Sequence, residues 1–183
     1  MKHDELAHLL PAAREQAQAS IPLGVTNQYL LLRNGSLLYG STDRFEFIET
    51  RHGTDTVRIF GRRGVVPEPV PPRVRDSVFR SATDRNEDVR RVASLKDIPT
   101  TFPTWETIHQ DGSNNIWVAA TGHGPDQTRL DIFNPDGRFL GSVDAPFSRT
   151  TRFTVVGDHL TAVDTDDNDL PRIRIFRVDR RGH

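Results

Sequence analysis

Short alternating segments separated by tight turns, gathered into three groups, constrain this chain more than anything else in it. In the first group, 28–33 (QYLLLR), 36–40 (SLLYG), 45–50 (FEFIET) and 56–60 (TVRIF) read as strands. FEFIET sets large apolar residues against acidic ones with a period of two, as a half-buried strand requires. Asn34-Gly35 joins the first two strands, and both residues tolerate the positive φ of a two-residue hairpin turn. The grammar returns at 105–109 (WETIH), 115–121 (NIWVAAT), 128–133 (TRLDIF) and 138–143 (RFLGSV). Here Asn134-Pro135-Asp136-Gly137 supplies a turn in which Pro presets φ and Gly takes the left-handed position. It begins a third time at 152–156 (RFTVV), 159–163 (HLTAV) and 172–178 (RIRIFRV), with no fourth strand.

Two segments interrupt the pattern. Residues 5–19 favour helix, with Leu6, Leu9 and Leu10 at helical spacing among alanines and glutamines. Residues 64–104 form an insertion that opens on the extended, proline-rich VPEPVPP. Val74, Val78 and Phe79 then mark a weakly amphipathic helix over 73–82, and Asp84 is placed to cap a second helix with Glu87 three residues on. The resulting division is 1–22 helical, 23–63 first unit, 64–104 insertion, 105–147 second unit, and 148–183 third unit without its outer strand.

Units of about 40 residues with four strands each are the sequence signature of β-propeller blades. The fold class is therefore all-β: a partial β-propeller of about three four-stranded antiparallel blades, the last incomplete, with an N-terminal helix and a helical insertion between the first two. RNGSLLYG, QDGSNNIWVA and GDHLTAV echo one another as turn followed by apolar strand. The competing architecture is a Greek-key sandwich of two stacked sheets.

Composition narrows the function classes. The net charge of −1 gives no global electrostatic case for nucleic acid or an anionic membrane. With no cysteine, disulfides, thiolate metal sites and cysteine nucleophiles are excluded. No apolar stretch approaches the roughly 20 residues that span a bilayer. The first ten residues carry acids and no apolar core, so they do not read as a signal peptide. All basic residues but Lys2 and Lys96 are arginine, which reads as the coding bias of a GC-rich genome.

The segments HQDGSNNIWVAATG, TRLDIFNPDGRFLGSVDAP and VVGDHLTAVDTDDNDLPRIRIFRV resemble the bacterial six-bladed β-propeller proteins of the NHL/TolB-like class. Asp111-Gly112 and Trp117 match the opening of such a blade, Asn134 stands for the first Asp of its D-P-D-G turn, and Phe139, Leu140, Gly141 and Val143 match its end. Coverage is best over 105–180. Six blades need about 240 residues at about 40 each. The resemblance thus implies the C-terminal half of a longer protein, periplasmic or secreted if that protein is exported. The alternative is a half ring completed by homodimerisation.

The function expected is a noncatalytic binding or scaffold module for a protein, peptide or glycan, with part of a propeller hydrolase or lactonase as the alternative. Neither a GxSxG nucleophile motif nor a GxxxxGK phosphate loop occurs, and the question of catalysis stays open. The seven histidines show no metal-binding spacing. Asp164, Asp166 and Asn168 alternate as calcium ligands do, but an EF-hand loop counted from Asp164 needs Gly and Glu where Asp169 and Ile175 stand. No cofactor is expected beyond that marginal calcium arrangement, and a solvated corner is the simpler reading. Trp105 and Trp117 read as wedges between sheets. In a propeller the second-to-third-strand corners share one end with the connections between blades, and loops on a rigid scaffold carry function. That places the candidate binding residues at Arg44, His123, Asp126, Arg149 and Asp166.

Overall fold

The computed structural model describes residues 22–52, 55–85, 87–92, 94–121, 127–148, 151–165 and 170–179. The helix expected over 5–19 lies outside them. Two compact units divide the described residues: one holds Pro71–Pro99, the other Val25–Val70 with the described residues from Thr100 onward.

Eleven strands among the described residues form three antiparallel sheets. The first is β1 (Asn27–Leu31), β2 (Leu37–Ser41), β3 (Glu46–Arg51) and β4 (Asp55–Gly61), in chain order. The second is β5 (Trp105–Gln110), β6 (Ile116–Ala120), β7 (Thr128–Phe133) and β8 (Phe139–Ala145), again in chain order. The third is β9 (Arg152–Val156), β10 (His159–Thr165) and β11 (Pro171–Arg177), with β10 in the middle. No ladder joins strands of different sheets among the described residues. The first strands nevertheless run alongside one another, β1 against β5 and β5 against β9.

Local chemistry sets these hairpins. Asn34 Oδ1 accepts the Ser36 amide at 2.9 Å, and Gly35 takes φ +81°. Asn134 Oδ1 accepts the Asp136 and Arg138 amides at 3.1 and 2.8 Å, with Gly137 at φ +79°. Asp111 Oδ1 does the same for Ser113 and Asn115 at 2.8 and 2.9 Å. Each side chain satisfies amides that the turn would otherwise leave unpaired.

The sheets cover one another face to face. Every residue of β6 is buried. Ile116, Val118 and Ala120 turn toward the first sheet, into a core with Leu38, Phe47 and Trp105. Trp117 and Ala119 turn the other way, joining Phe153, Val155 and Leu160 of the third sheet. Both tryptophans fill the wedges expected of them, fully or almost fully buried. Phe47 meets Trp105 edge-on at 4.9 Å and Phe133 at 6.1 Å, while Phe60 lies 5.4 Å from Phe133. Each such ring contributes roughly 1.5–3 kcal/mol by leaving water, with aromatic pairing adding about 0.5–1.5.

In the helical unit, α1 spans Pro72–Arg85 and α2 spans Glu87–Val92. Pro72 occupies a first-turn position where its missing amide costs nothing. Asp84 lies inside α1 and not at the start of a second helix, because the helix runs three residues beyond the expected end. The Arg75 guanidinium ties this helix to the unit's exit, donating to the Ile98 carbonyl at 2.8 Å and that of Leu95 at 3.0 Å.

Candidate functional site

The β2–β3 corner is a fixed piece of backbone. Thr104 donates to the Thr42 carbonyl through its amide at 2.8 Å and its hydroxyl at 3.0 Å. The Trp105 indole donates to the carbonyls of Arg44 at 2.8 Å and Ser41 at 3.2 Å. Chain from the start of the second sheet thus holds the corner of the first. At the same end the chain leaves β4, and the Arg62 amide closes onto the Phe45 carbonyl at 2.9 Å.

Beneath this end lies a buried carboxylate. Asp131, on β7, is wholly inaccessible. It receives Arg62 at 2.5 Å and Arg129 at 3.0 Å, and Ser142 donates to it at 2.6 Å. The Arg62 guanidinium also lies over the rings of Phe139 and Phe45, at 5.0 and 5.9 Å. Two cations therefore neutralise one buried acid, as a buried charge requires. A second pair, buried Glu49 with half-buried Arg58, sits at the opposite end; Asn34 donates to Glu49 at 3.2 Å, and Arg58 also reaches the Pro135 carbonyl.

Among the hollows at the corner end, two adjoin each other. One of about 470 Å³ is lined by Arg44, Phe45, Glu46, Ile59 and Arg63, among others. One of about 510 Å³ shares Phe45, Arg62, Arg63 and Gly64 with it and extends along the Pro67–Pro69 strap to Arg129. Arg62 and Arg129 are committed to Asp131. Arg44 is highly exposed, and its one ion-pair contact among the described residues is with Asp43, at 3.9 Å. Arg63 is exposed and has no ion-pair partner among the described residues. The arrangement offers two available guanidinium groups beside aromatic and aliphatic walls, which suits an anionic group on a partly apolar ligand.

Of the residues singled out from sequence, Arg44 lines this hollow. His123, Asp126, Arg149 and Asp166 lie outside the described residues, as does Asn168. Asp164 belongs to β10 and not to a loop, and its carboxylate is engaged by Arg174 at 3.1 Å and Arg172 at 3.5 Å. The Arg174 hydrogen bond leads the causes that hold its pKa below the ordinary carboxylate value. No group of three or more potential metal ligands occurs among the described residues. Sequence reasoning passed over Arg62, Arg63 and Arg129. The adjacent pair directly after TVRIFG was the available signal, since the antiparallel return places it at the end where β3 begins. No helix among the described residues is long and apolar enough to cross a membrane.

Comparison with protein-family models and with curated proteins finds no match to this chain.

Proposed function

We propose that this chain is a β-propeller-type binding or scaffold module, its three sheets being blades, and that the corner-end hollow receives an acidic segment of a partner protein. The observation that carries the reading is the stacking of consecutive meanders with β1, β5 and β9 side by side. Radial repetition of small sheets arranges chain in that way, and it gathers corners and connections at one end of a rigid body. The exposed guanidinium groups of Arg44 and Arg63 beside Phe45 and Ile59 support an acidic, partly apolar partner.

The test is a titration of the isotopically labelled protein with a blocked peptide of four glutamates and one phenylalanine, followed by amide chemical shifts. Shifts confined to residues 44–46 and 61–64, weakened by salt and abolished in the Arg44→Ala/Arg63→Ala double variant, are expected. No shifts at millimolar peptide, or shifts scattered over the surface, refute it.

A further inference from the structure

We propose that Asn34 is a self-modification site: when the β1–β2 turn opens, attack by the Gly35 nitrogen exchanges the Asn34 carboxamide for a carboxylate, which then stands against Glu49. Asn34-Gly35 is the one Asn-Gly step in the sequence. Both residues are exposed, and Asn34 lines a hollow of about 330 Å³ with Arg33, Arg58, Gln110 and Asn114, so water reaches it. Gly35 carries no side chain to shield its nitrogen, and the space around its Cα is open.

The reaction needs only the chain and water. The Gly35 nitrogen bonds to Asn34 Cγ, the Cγ–Nδ2 bond breaks, and Nδ2 leaves as ammonia with the proton that Gly35 gives up. Water then opens the cyclic imide. Cleavage at Cγ leaves aspartate. Cleavage at the main-chain carbonyl carbon leaves isoaspartate, with the backbone rerouted through the former side chain.

The closed turn keeps these atoms apart. The Gly35 amide donates to the Leu32 carbonyl at 2.9 Å. Asn34 Oδ1 accepts the Ser36 amide at 2.9 Å, and Nδ2 donates to Glu49 Oε1 at 3.2 Å. From the second sheet, Gln110 Oε1 accepts the Arg33 amide at 2.9 Å and so holds the turn in place. The reaction therefore reports local opening of this hairpin.

The β7–β8 turn shows why the product matters. Asp136-Gly137 occupies the same place there: Gly35 and Gly137 take φ +81° and +79°, and each glycine amide closes onto the carbonyl three residues back at 2.9 Å. An acid is accommodated at 136, where the Asn134 side-chain amide faces it at 3.5 Å. At 34 the acid would replace a donor to a buried carboxylate, turning a hydrogen bond into like-charge repulsion. Arg58 is already shared between Glu49 and the Pro135 carbonyl, and Arg33 is the other cation lining the hollow. Isoaspartate adds a carbon to the main chain, so the Gly35–Leu32 and Leu32–Ser36 hydrogen bonds cannot both re-form. A chain whose hairpin has opened is thereby marked, and the mark favours further opening.

Peptide mapping by mass spectrometry on the full chain, folded and in urea, tests the reaction in mildly alkaline buffer. Conversion of Asn34 to aspartate and isoaspartate is expected, on the order of tenfold slower or more in the folded chain, because only the opened turn reacts. Gln110→Ala, which frees the Arg33 amide, should speed conversion in the folded chain and leave the rate in urea unchanged. Asn34→Asp, verified as folded by circular dichroism, should lower the Tm by roughly 3–6 °C. The same substitution should cost markedly less in a Glu49→Gln background. Equal rates in folded and unfolded chains, no conversion at 34 in urea, a Gln110→Ala rate equal to the parent's, or an Asn34→Asp chain as stable as the parent each overturns the proposal.

Discussion

Replacing Asp111 by Asn separates two tasks that its carboxylate performs together. Oδ1 accepts the amides of Ser113 and Asn115, which holds the β5–β6 turn. Oδ2 accepts the Asn115 side-chain amide at 2.9 Å and the Trp117 indole at 3.0 Å, which tethers a residue of the second core. Asn134 shows that an amide oxygen suffices for the first task, since it accepts the same pair of downstream amides in the β7–β8 turn. Asp111→Asn therefore keeps the turn and puts an NH2 group where two donors point. Hydrogen bonds to a charged group are worth about 1.5–3 kcal/mol, and a buried donor left unpaired costs about 1–3. Of the two donors, Asn115 can turn toward water, while the indole cannot. The expected loss is about 3 kcal/mol, or a Tm lower by roughly 6–12 °C in a chain of this size. Urea denaturation of Asp111→Asn, Trp117→Phe and the double variant measures it. Trp117→Phe should cost markedly less in the Asn background, because the tether is already gone. Burial alone raises the Asp111 pKa, but hydrogen bonds from Asn115, Trp117 and Ser113 outweigh it and hold the pKa below the ordinary value. That stability is present above the unfolded value of about 3.9 and is lost as pH falls through the folded one. The variant should accordingly show a shallower acid limb. A cost under about 1 kcal/mol, or a Trp117→Phe penalty equal in both backgrounds, refutes the reasoning.

Two further expectations follow the same logic. Asp131→Asn removes a wholly buried charge from between Arg62 and Arg129 and should cost about 3–5 kcal/mol in urea denaturation, since both cations are only partly exposed. Burial holds the His109 pKa below its ordinary value, and the ring packs 4.3 Å from that of Phe153. Protonation then accompanies unfolding, so stability is full above about pH 6.5 and declines as pH falls from there toward the folded pKa; His109→Gln should flatten that decline in pH-dependent thermal melts.

The strands and turns were legible because their causes are local. Period-two alternation names a strand, and Asn34-Gly35 or Asn134–Gly137 names the turn that ends it. The end of β10 was not read correctly. The acidic run from Asp164 suggested a corner, yet Arg172 and Arg174 across the ladder neutralise Asp164 and let the strand continue to Thr165. Asp131 lies within TRLDIF, which the sequence marks only as a strand. Its partners Arg62 and Arg129 declare themselves only once two sheets are stacked, since Arg62 lies 69 residues away. The candidate hollow was legible to the extent of Arg44, whose place follows from strand order. The apolar walls and Arg63 were not, because they depend on how β4 returns beside β3.

The five residues of β6 serve two masters. Ile116, Val118 and Ala120 answer to one core, Trp117 and Ala119 to the other, and the backbone between them cannot shift for either without disturbing both. Three sheets that share no ladder among the described residues are thereby coupled through a single strand. A methyl group added on one face of this strand presses, through its backbone, on the aromatic rings packed against the other.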